Sequence, residues 1–349
     1  MATIKDVAAA AGVSIATVSN MLTGKKNVSP EKTTRILDAM KALNYDAGRL
    51  AVPAEQRSMT IGFIVSQLDT VYFPLIIRGI QRIAEENGYS LIFYPTNYSS
   101  QSEKKHLKSL IASKADGIIL DTVVPDSDRA YWESVIHVGR GGQRFPIVSI
   151  QNDLSAQQIP SVYFNSFESG YIATKHLIEK GCKKIACITG PSHVRWAQAR
   201  FDGYRKCLED NGLPYNSSYT ATGDCTPASG YRIVNYFLLN ALEFDGIFAE
   251  NDLMALGAIK ALMDKDMRVP EDVRVIGHDN VFVSSLTTPS ISTIHVPKQR
   301  LGEEAARVLI GLINHEEIAP DYHYELPLQL IERQSTNISE QANWDLYLF

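Results

Sequence analysis

The chain has 349 residues, 45% of them hydrophobic and 21% charged, with a mean hydropathy of −0.11. This composition fits a water-soluble protein of two or three compact units, and no apolar run approaches the ~20 residues of a membrane span. The formal net charge is −5, but the residues up to Ser58 carry 8 Lys/Arg against 5 Asp/Glu, so a start of +3 precedes a body of −8. A basic end on an acidic body suits nucleic-acid contact confined to that end.

The opening stretch, Thr3 to Leu22, has the form of two short helices joined by a turn. Ile4, Val7 and Ala8 recur at the spacing of one helix face, Gly12 supplies the turn, and Ser14 is a good N-cap. Thr17, Val18, Met21 and Leu22 carry the second helix, with Val18 and Leu22 inward. Alone, the pattern also fits any corner between two helices of a small bundle. A third helix follows Ser29-Pro30-Glu31, a cap with Pro at the first position and an acid in the first turn, and Ile36, Leu37, Met40 and Leu43 form its apolar face. Residues 46–58 are small, Gly- and Pro-containing and charged, the composition of a linker.

From Thr60 onward, strands and helices alternate, which implies parallel sheets covered by helices on both faces. Expected strands are Ile61–Val65, Ser90–Tyr94, Gly117–Leu120, Pro146–Ile150 and Val162–Phe164. A second run has strands Lys184–Thr189, Gly246–Ala249, Val273–Gly277, Ser292–His295 and Tyr322–Leu330. Expected helices are Phe73–Asn87, Glu103–Ser113, Ser169–Lys180, Ala199–Asn211, Gly230–Asn240, Asp252–Lys265 and Lys298–Asn314. Two such runs predict two similar α/β lobes. Cys182, Cys187, Cys207 and Cys225 form no C-x-x-C pair and have no zinc-type His spacing, so they are expected to be free thiols. The start of the chain lacks a signal-peptide layout, so a cytoplasmic location is expected, on the nucleoid if the basic end binds DNA. No nucleophile elbow, Walker loop, zinc-protease motif or dinucleotide fingerprint is present, so neither an enzyme nor a cofactor is expected.

Thr3-Ile4-Lys5-Asp6-Val7-Ala8, Ala11-Gly12-Val13-Ser14, Ala16-Thr17-Val18-Ser19 and Val28-Ser29 together resemble the headpiece of the LacI/GalR family of bacterial transcriptional regulators. The resemblance runs to about Thr336. It implies an N-terminal all-α helix-turn-helix headpiece (1–45), a hinge (46–58) and an α/β two-lobed body with parallel sheets, like periplasmic binding proteins (59–336). The N-lobe is then about 59–163 and 294–324, the C-lobe about 164–293 and 325–336, with crossings near Phe164, Ser292 and Glu325 and a tail at 337–349. The implied function is a sequence-specific repressor whose operator affinity changes when a small hydroxylated ligand, a sugar, binds between the lobes. A solute-binding protein is the alternative that the body alone would fit. A two-fold homodimer on a pseudo-palindromic operator is expected, the tail being too short for a tetramerising helix.

The resemblance also assigns residues. Ile15, Ala16 and Asn20 face the bases, and Asn20, at a position where the family often has Arg, favours adenine over guanine. Ser14, Thr17, Ser19 and Asn27 are candidates for phosphate contacts, with charge added by Lys5, Lys25 and Lys26, and Thr3 belongs to the same DNA-binding set. The hinge departs from the family: Ala47 replaces Pro, Gly48 replaces Asn, Ala54 stands where a groove-wedging Leu is usual, and Pro53 disturbs any helix there. Leu50 is the alternative wedge. Around the ligand the resemblance sets Asp69, Tyr72, Phe73, Gln151, Arg200, Asn251 and Asp279. Thr70-Val71, Gln151 and Asn165 depart from family residues, and Trp196 either stacks on a ring or lies on the lobe surface.

Overall fold

A computed structural model describes residues 3–23, 28–43, 45, 57–125, 127–136, 144–337 and 339. Three helices come first: α1 (Ile4–Ala11), α2 (Ile15–Thr23) and α3 (Pro30–Ala42). Thr3 caps α1 through a reciprocal pairing with Asp6, and Gly12 ends it at φ 62°, ψ 40°, a left-handed conformation that glycine adopts at least cost. Val7, Ala8, Ala11, Val18, Ile36 and Ala39 form the small core. The expected apolar face of α3 needs one correction. Leu37 is 53% exposed, and Ala39, three residues after the buried Ile36, faces inward in its place.

The N-lobe sheet has the order β11-β5-β4-β3-β1-β2. Its strands are β1 (Thr60–Val65), β2 (Ser90–Pro95), β3 (Gly117–Leu120), β4 (Ile147–Ile150), β5 (Ser161–Tyr163) and β11 (His323–Glu325). Helices α4 (Phe73–Glu86), α5 (Ser100–Ala112), α6 (Arg129–Ile136) and α12 (Lys298–Ile313) accompany it. All its ladders are parallel. Apolar strands such as Gly117-Ile-Ile-Leu120, buried throughout, suit a sheet covered on both faces.

The C-lobe sheet repeats the pattern as β12-β10-β9-β8-β6-β7. Its strands are β6 (Ile185–Thr189), β7 (Thr220–Thr222), β8 (Gly246–Ala249), β9 (Arg274–Asp279), β10 (Ser292–His295) and β12 (Gln329–Ile331). Its helices are α7 (Ser166–Glu179), α8 (Arg195–Asp210), α9 (Pro227–Leu239), α10 (Asp252–Met263) and α11 (Val283–Leu286). Only β12 runs antiparallel, against β10. Helices α7 and α8 approach backbone to backbone: a Cβ on Gly170 would lie 2.0 Å from the Arg200 carbonyl oxygen, and one on Gly203 would lie 2.0 Å from that of Phe167.

The structure corrects several boundaries. The expected strand Tyr322–Leu330 is two strands in different sheets, because Leu326-Pro327-Leu328 is the third crossing and Pro327 has no N–H for a ladder. The second crossing falls at Val296-Pro297 rather than near Ser292, since β10 pairs with β9 through His295; the N-lobe therefore resumes at about 297, not 294. Helices α7, α8 and α9 begin earlier than expected; Asn165 and Thr226 cap α7 and α9. Helices α6 and α11 and strand β7 were not anticipated. The described end of the linker is fastened down: the Ser58 and Met59 N–H groups both donate to the Asp116 carboxylate, at 3.3 and 2.8 Å.

Candidate functional site

Open α/β sheets present their ligand sites beyond the carboxyl ends of their strands. Here those ends face each other across one cavity. The N-lobe contributes Ser66 and Gln67 after β1, Thr70 to Phe73 at the start of α4, Tyr98, and Gln151 after β4. The C-lobe contributes Trp196 and Arg200 from α8, Cys225, Asn251 to Leu253 after β8, Asp279 at the end of β9 and Val281 just after it.

Arg200 is 3% exposed. One of its Nη atoms donates to the Glu250 carbonyl at 2.7 Å, the other is 3.9 Å from Asp279 Oδ1, and the guanidinium lies 4.6 Å from the centre of the Trp196 ring. Stacking on an aromatic face while one Nη donates to a carbonyl and the other lies beside a carboxylate suits a planar guanidinium better than an ammonium. Glu250 lies buried beneath it; burial raises its carboxyl to about 8, and Oε2 accepts from the Gly190 N–H at 2.8 Å. Asp279 ends its strand at φ 100°, a strained angle for a side chain of this kind. Its Oδ1 lies 2.8 Å from His278 Nδ1. Burial and the nearby Arg200 charge lower His278 to about 4, so the imidazole is neutral and donates Nδ1–H to the carboxylate.

Across the cavity, Gln151 Nε2 donates to Asp121 Oδ1 at 2.8 Å, while the Ser66 N–H donates to Oδ2 at 3.0 Å. Burial raises the Asp121 carboxyl to about 6. Five of the lining residues each carry a buried polar atom with no hydrogen-bond partner: Gln67 Oε1, Thr70 Oγ1, Tyr72 OH, Arg200 Nε and Asp252 Oδ1. Buried polar atoms are normally satisfied, so this concentration calls for an explanation.

Of the expected ligand set, the structure brings Tyr72, Phe73, Gln151, Arg200, Asn251 and Asp279 to one cavity. Asn251 also works locally: Oδ1 caps α10 at the Met254 N–H (2.8 Å), and Nδ2 donates to the Cys225 carbonyl (3.0 Å), leaving one amide hydrogen. Asp69 is a correction. It is exposed on the turn between β1 and α4 and lies outside the lining, whereas Thr70, one residue on, faces in. Trp196, left between two readings by sequence, faces the cavity and Arg200. Thr70, Tyr98 and Cys225 were missed; they sit in irregular segments whose inward placement depends on distant packing. All four cysteines are free and buried. No group able to hold a metal occurs among the described residues.

On α2, Ile15 and Ala16 are exposed at the start of the helix and Asn20 is half-buried one turn on. Ser14 caps the helix: its Oγ accepts from the Thr17 N–H at 3.1 Å and lies 2.8 Å from Thr17 Oγ1. Thr3, Ser14 and Thr17, expected at DNA, thus also hold helix ends. Lys5 is exposed and Ser19 half-buried. Asn27, Leu50, Lys25, Lys26 and the hinge positions Ala47, Gly48, Pro53 and Ala54 lie outside the described residues.

A helix-turn-helix unit attached to two α/β lobes with a cavity between them defines a ligand-controlled DNA-binding regulator. Comparisons with known proteins agree. Residues 3–47 match the family described as bacterial regulatory proteins, lacI family, and residues 174–336 match the periplasmic binding protein-like domain. The chain is 35% identical over 337 residues to the HTH-type transcriptional repressor PurR of Mannheimia succiniciproducens, covering 96% of this chain and 98% of that one. Among solved structures, the lac repressor dimer bound to operator and the anti-inducer ONPF superposes with a TM-score of 0.72 at 26% identity, over 96% of this chain and 99% of that one. The CelR–cellobiose complex gives a TM-score of 0.70 at 28% identity, over 96% and 100%. The chain belongs to the LacI family. It is an effector-regulated, DNA-binding transcriptional repressor, not an enzyme. No helix among the described residues is long and apolar enough to cross a membrane.

Proposed function

We propose that this repressor binds a pseudo-palindromic operator as a cytoplasmic homodimer and that a neutral sugar in the inter-lobe cavity changes its operator affinity. The observation that carries the ligand class is the wall of that cavity. Arg200, Asp279 and Gln151 offer donors and acceptors, and Tyr72, Phe73 and Trp196 offer aromatic surface, the pairing that a ring bearing hydroxyls requires. The five unpartnered polar atoms add hydrogen-bonding capacity that a polyol would use. Two similar regulators support this class: CelR, described with cellobiose, and one from Alkaliphilus metalliredigens, described with D-xylulofuranose. Exposed apolar side chains on the β2 edge (Ile92, Phe93) and on the C-lobe (Tyr236, Leu239, Phe282, Leu286) supply surface for a second copy. On DNA, Ile15 and Ala16 make apolar contacts and Asn20 reads adenine, with Lys5 and Ser19 at the phosphates.

The test has two arms. Purified full-length protein selects fragments of its own genome, which are sequenced; calorimetric titration then covers glucose, galactose, ribose, xylose, lactose and cellobiose. The expected result is a recovered palindrome, binding of at least one sugar, and loss of that binding in Asp279→Ala. A palindrome without any sugar binding would overturn the ligand class, and recovery of no motif with or without the sugars would overturn the operator reading.

A further inference from the structure

Lys298 is a buried lysine, 2% exposed, at the first position of α12. Its ammonium donates to the main-chain carbonyls of Asp279, of Asn280 (3.1 Å) and of Val296 (3.3 Å). Three donors thus meet three acceptors, as a buried cation requires. The acceptors lie before and at the second crossing, and Lys298 itself lies just beyond it. Asp279 and Asn280 belong to the C-lobe at the cavity, whereas α12 packs on α4, β3, β4 and β5 of the N-lobe. One side chain therefore pins an N-lobe helix to the C-lobe strand end that carries Asp279.

The far end of the same helix is also held. Arg57, the first described residue of the linker, donates to the Ile313 carbonyl (3.0 Å) and to Asn314 Oδ1 (2.8 Å) at the end of α12, and to Tyr89 OH (3.3 Å) just beyond α4. Helix α4 starts at the cavity with Phe73, so both helices run from the cavity to Arg57. They are locked side by side. A Cβ on Gly79 would lie 2.1 Å from the Gln299 carbonyl oxygen and one on Gly302 would lie 2.1 Å from that of Ile76, while Arg82 forks onto Glu303 (2.8 and 3.1 Å). The 16 residues of α12 span ~24 Å.

We propose that the α4–α12 pair is the strut that carries the state of the cavity to the linker, with Lys298 and Arg57 as the positioning residues at its two ends. This rests on reading the cavity as the effector site, because the strut begins at Phe73 and at the carbonyl of Asp279. A rigid pair fixed at both ends cannot change its relation to Asp279 without moving Arg57, and so the residues that lead to the headpiece. Lying between two sites is not itself coupling, so the decisive property is reciprocity.

The experiment uses ligand-free full-length protein, which separates it from the effector reading. Amide hydrogen exchange is followed by mass spectrometry in wild type, Arg57→Gln and Lys298→Met. The strut requires Arg57→Gln to speed exchange at 280–281, beside the cavity, and at 301–304, in the first turns of α12, by roughly tenfold, and Lys298→Met to do the same at 89–90 and 313–315. The control is the α9–α10 layer of the C-lobe, which must stay unchanged in Arg57→Gln. Acceleration confined to one turn around each substitution overturns the proposal. Should Lys298→Met loosen both lobes evenly or fail to fold, Arg57→Gln decides alone: a distant effect at 301–304 with a quiet control supports the strut, and its absence refutes it.

Discussion

Gly170→Ala tests whether helix packing sets the grip of Arg200. The added Cβ would lie 2.0 Å from the Arg200 carbonyl oxygen and 2.9 Å from its Cα, all backbone atoms, so α8 must retreat by at least about 1 Å. Carried along rigidly, the 2.7 Å bond from Arg200 to the Glu250 carbonyl would pass beyond ordinary hydrogen-bond length. The overpacking costs about 1–3 kcal/mol of stability. A weakened bond from a charged donor adds about 1.5–3 kcal/mol to ligand binding, roughly a ten- to hundredfold loss of affinity. Gly181→Ala is the control. Gly181 caps the same α7 region at φ 93° with nothing within 4 Å, so alanine there strains only its own backbone, by about 1 kcal/mol. Guanidinium denaturation reads stability, and calorimetry reads affinity for whichever panel sugar binds wild type. The reasoning requires Gly170→Ala to lose affinity and Gly181→Ala to keep it. Equal affinities in the two variants would refute it.

Three further outcomes follow from single groups. Asn20→Arg should move the preferred base at its position from adenine toward guanine in the genomic selection, since the guanidinium forks onto two guanine acceptors; an unchanged motif would remove Asn20 from base reading. Ser14→Ala removes the cap on α2, about 1 kcal/mol of helix stability, and should weaken DNA binding in fluorescence anisotropy while leaving sugar affinity intact. Glu250→Gln tests buried charge. Burial raises this carboxyl from 4.5 to about 8, so the folded chain keeps a proton that the unfolded chain releases, and folding loses free energy as pH rises from about 4.5 to 8. The advantage of Glu250→Gln over wild type in thermal unfolding should therefore be larger at pH 8 than at pH 5, and a pH-independent difference would contradict this.

What the sequence conveyed depended on how local each determinant was. Gly117–Leu120 and Gly246–Ala249 were legible to the residue because each is a short apolar run bounded by turn signals. Tyr322–Leu330 also reads as one strand, but no pattern within it says that its halves join different sheets; that is decided by the partners on either side of Pro327. The cavity divides the same way. Arg200 and Asp279 stand in recognisable motifs, whereas Cys225 and Tyr98 reach the site through irregular chain. Asp69 shows how sharp the boundary is: one residue of turn separates a solvent-exposed carboxylate from Thr70 on the wall. Lys298 is the hardest case. At the start of a polar-looking helix it reads as a solvated charge, and only the crossing of the two lobes turns it into a buried cation on three carbonyls. A residue whose environment is built by two lobes has no signature in either one, and positions of that kind are where a regulator that works by moving its lobes must store its coupling.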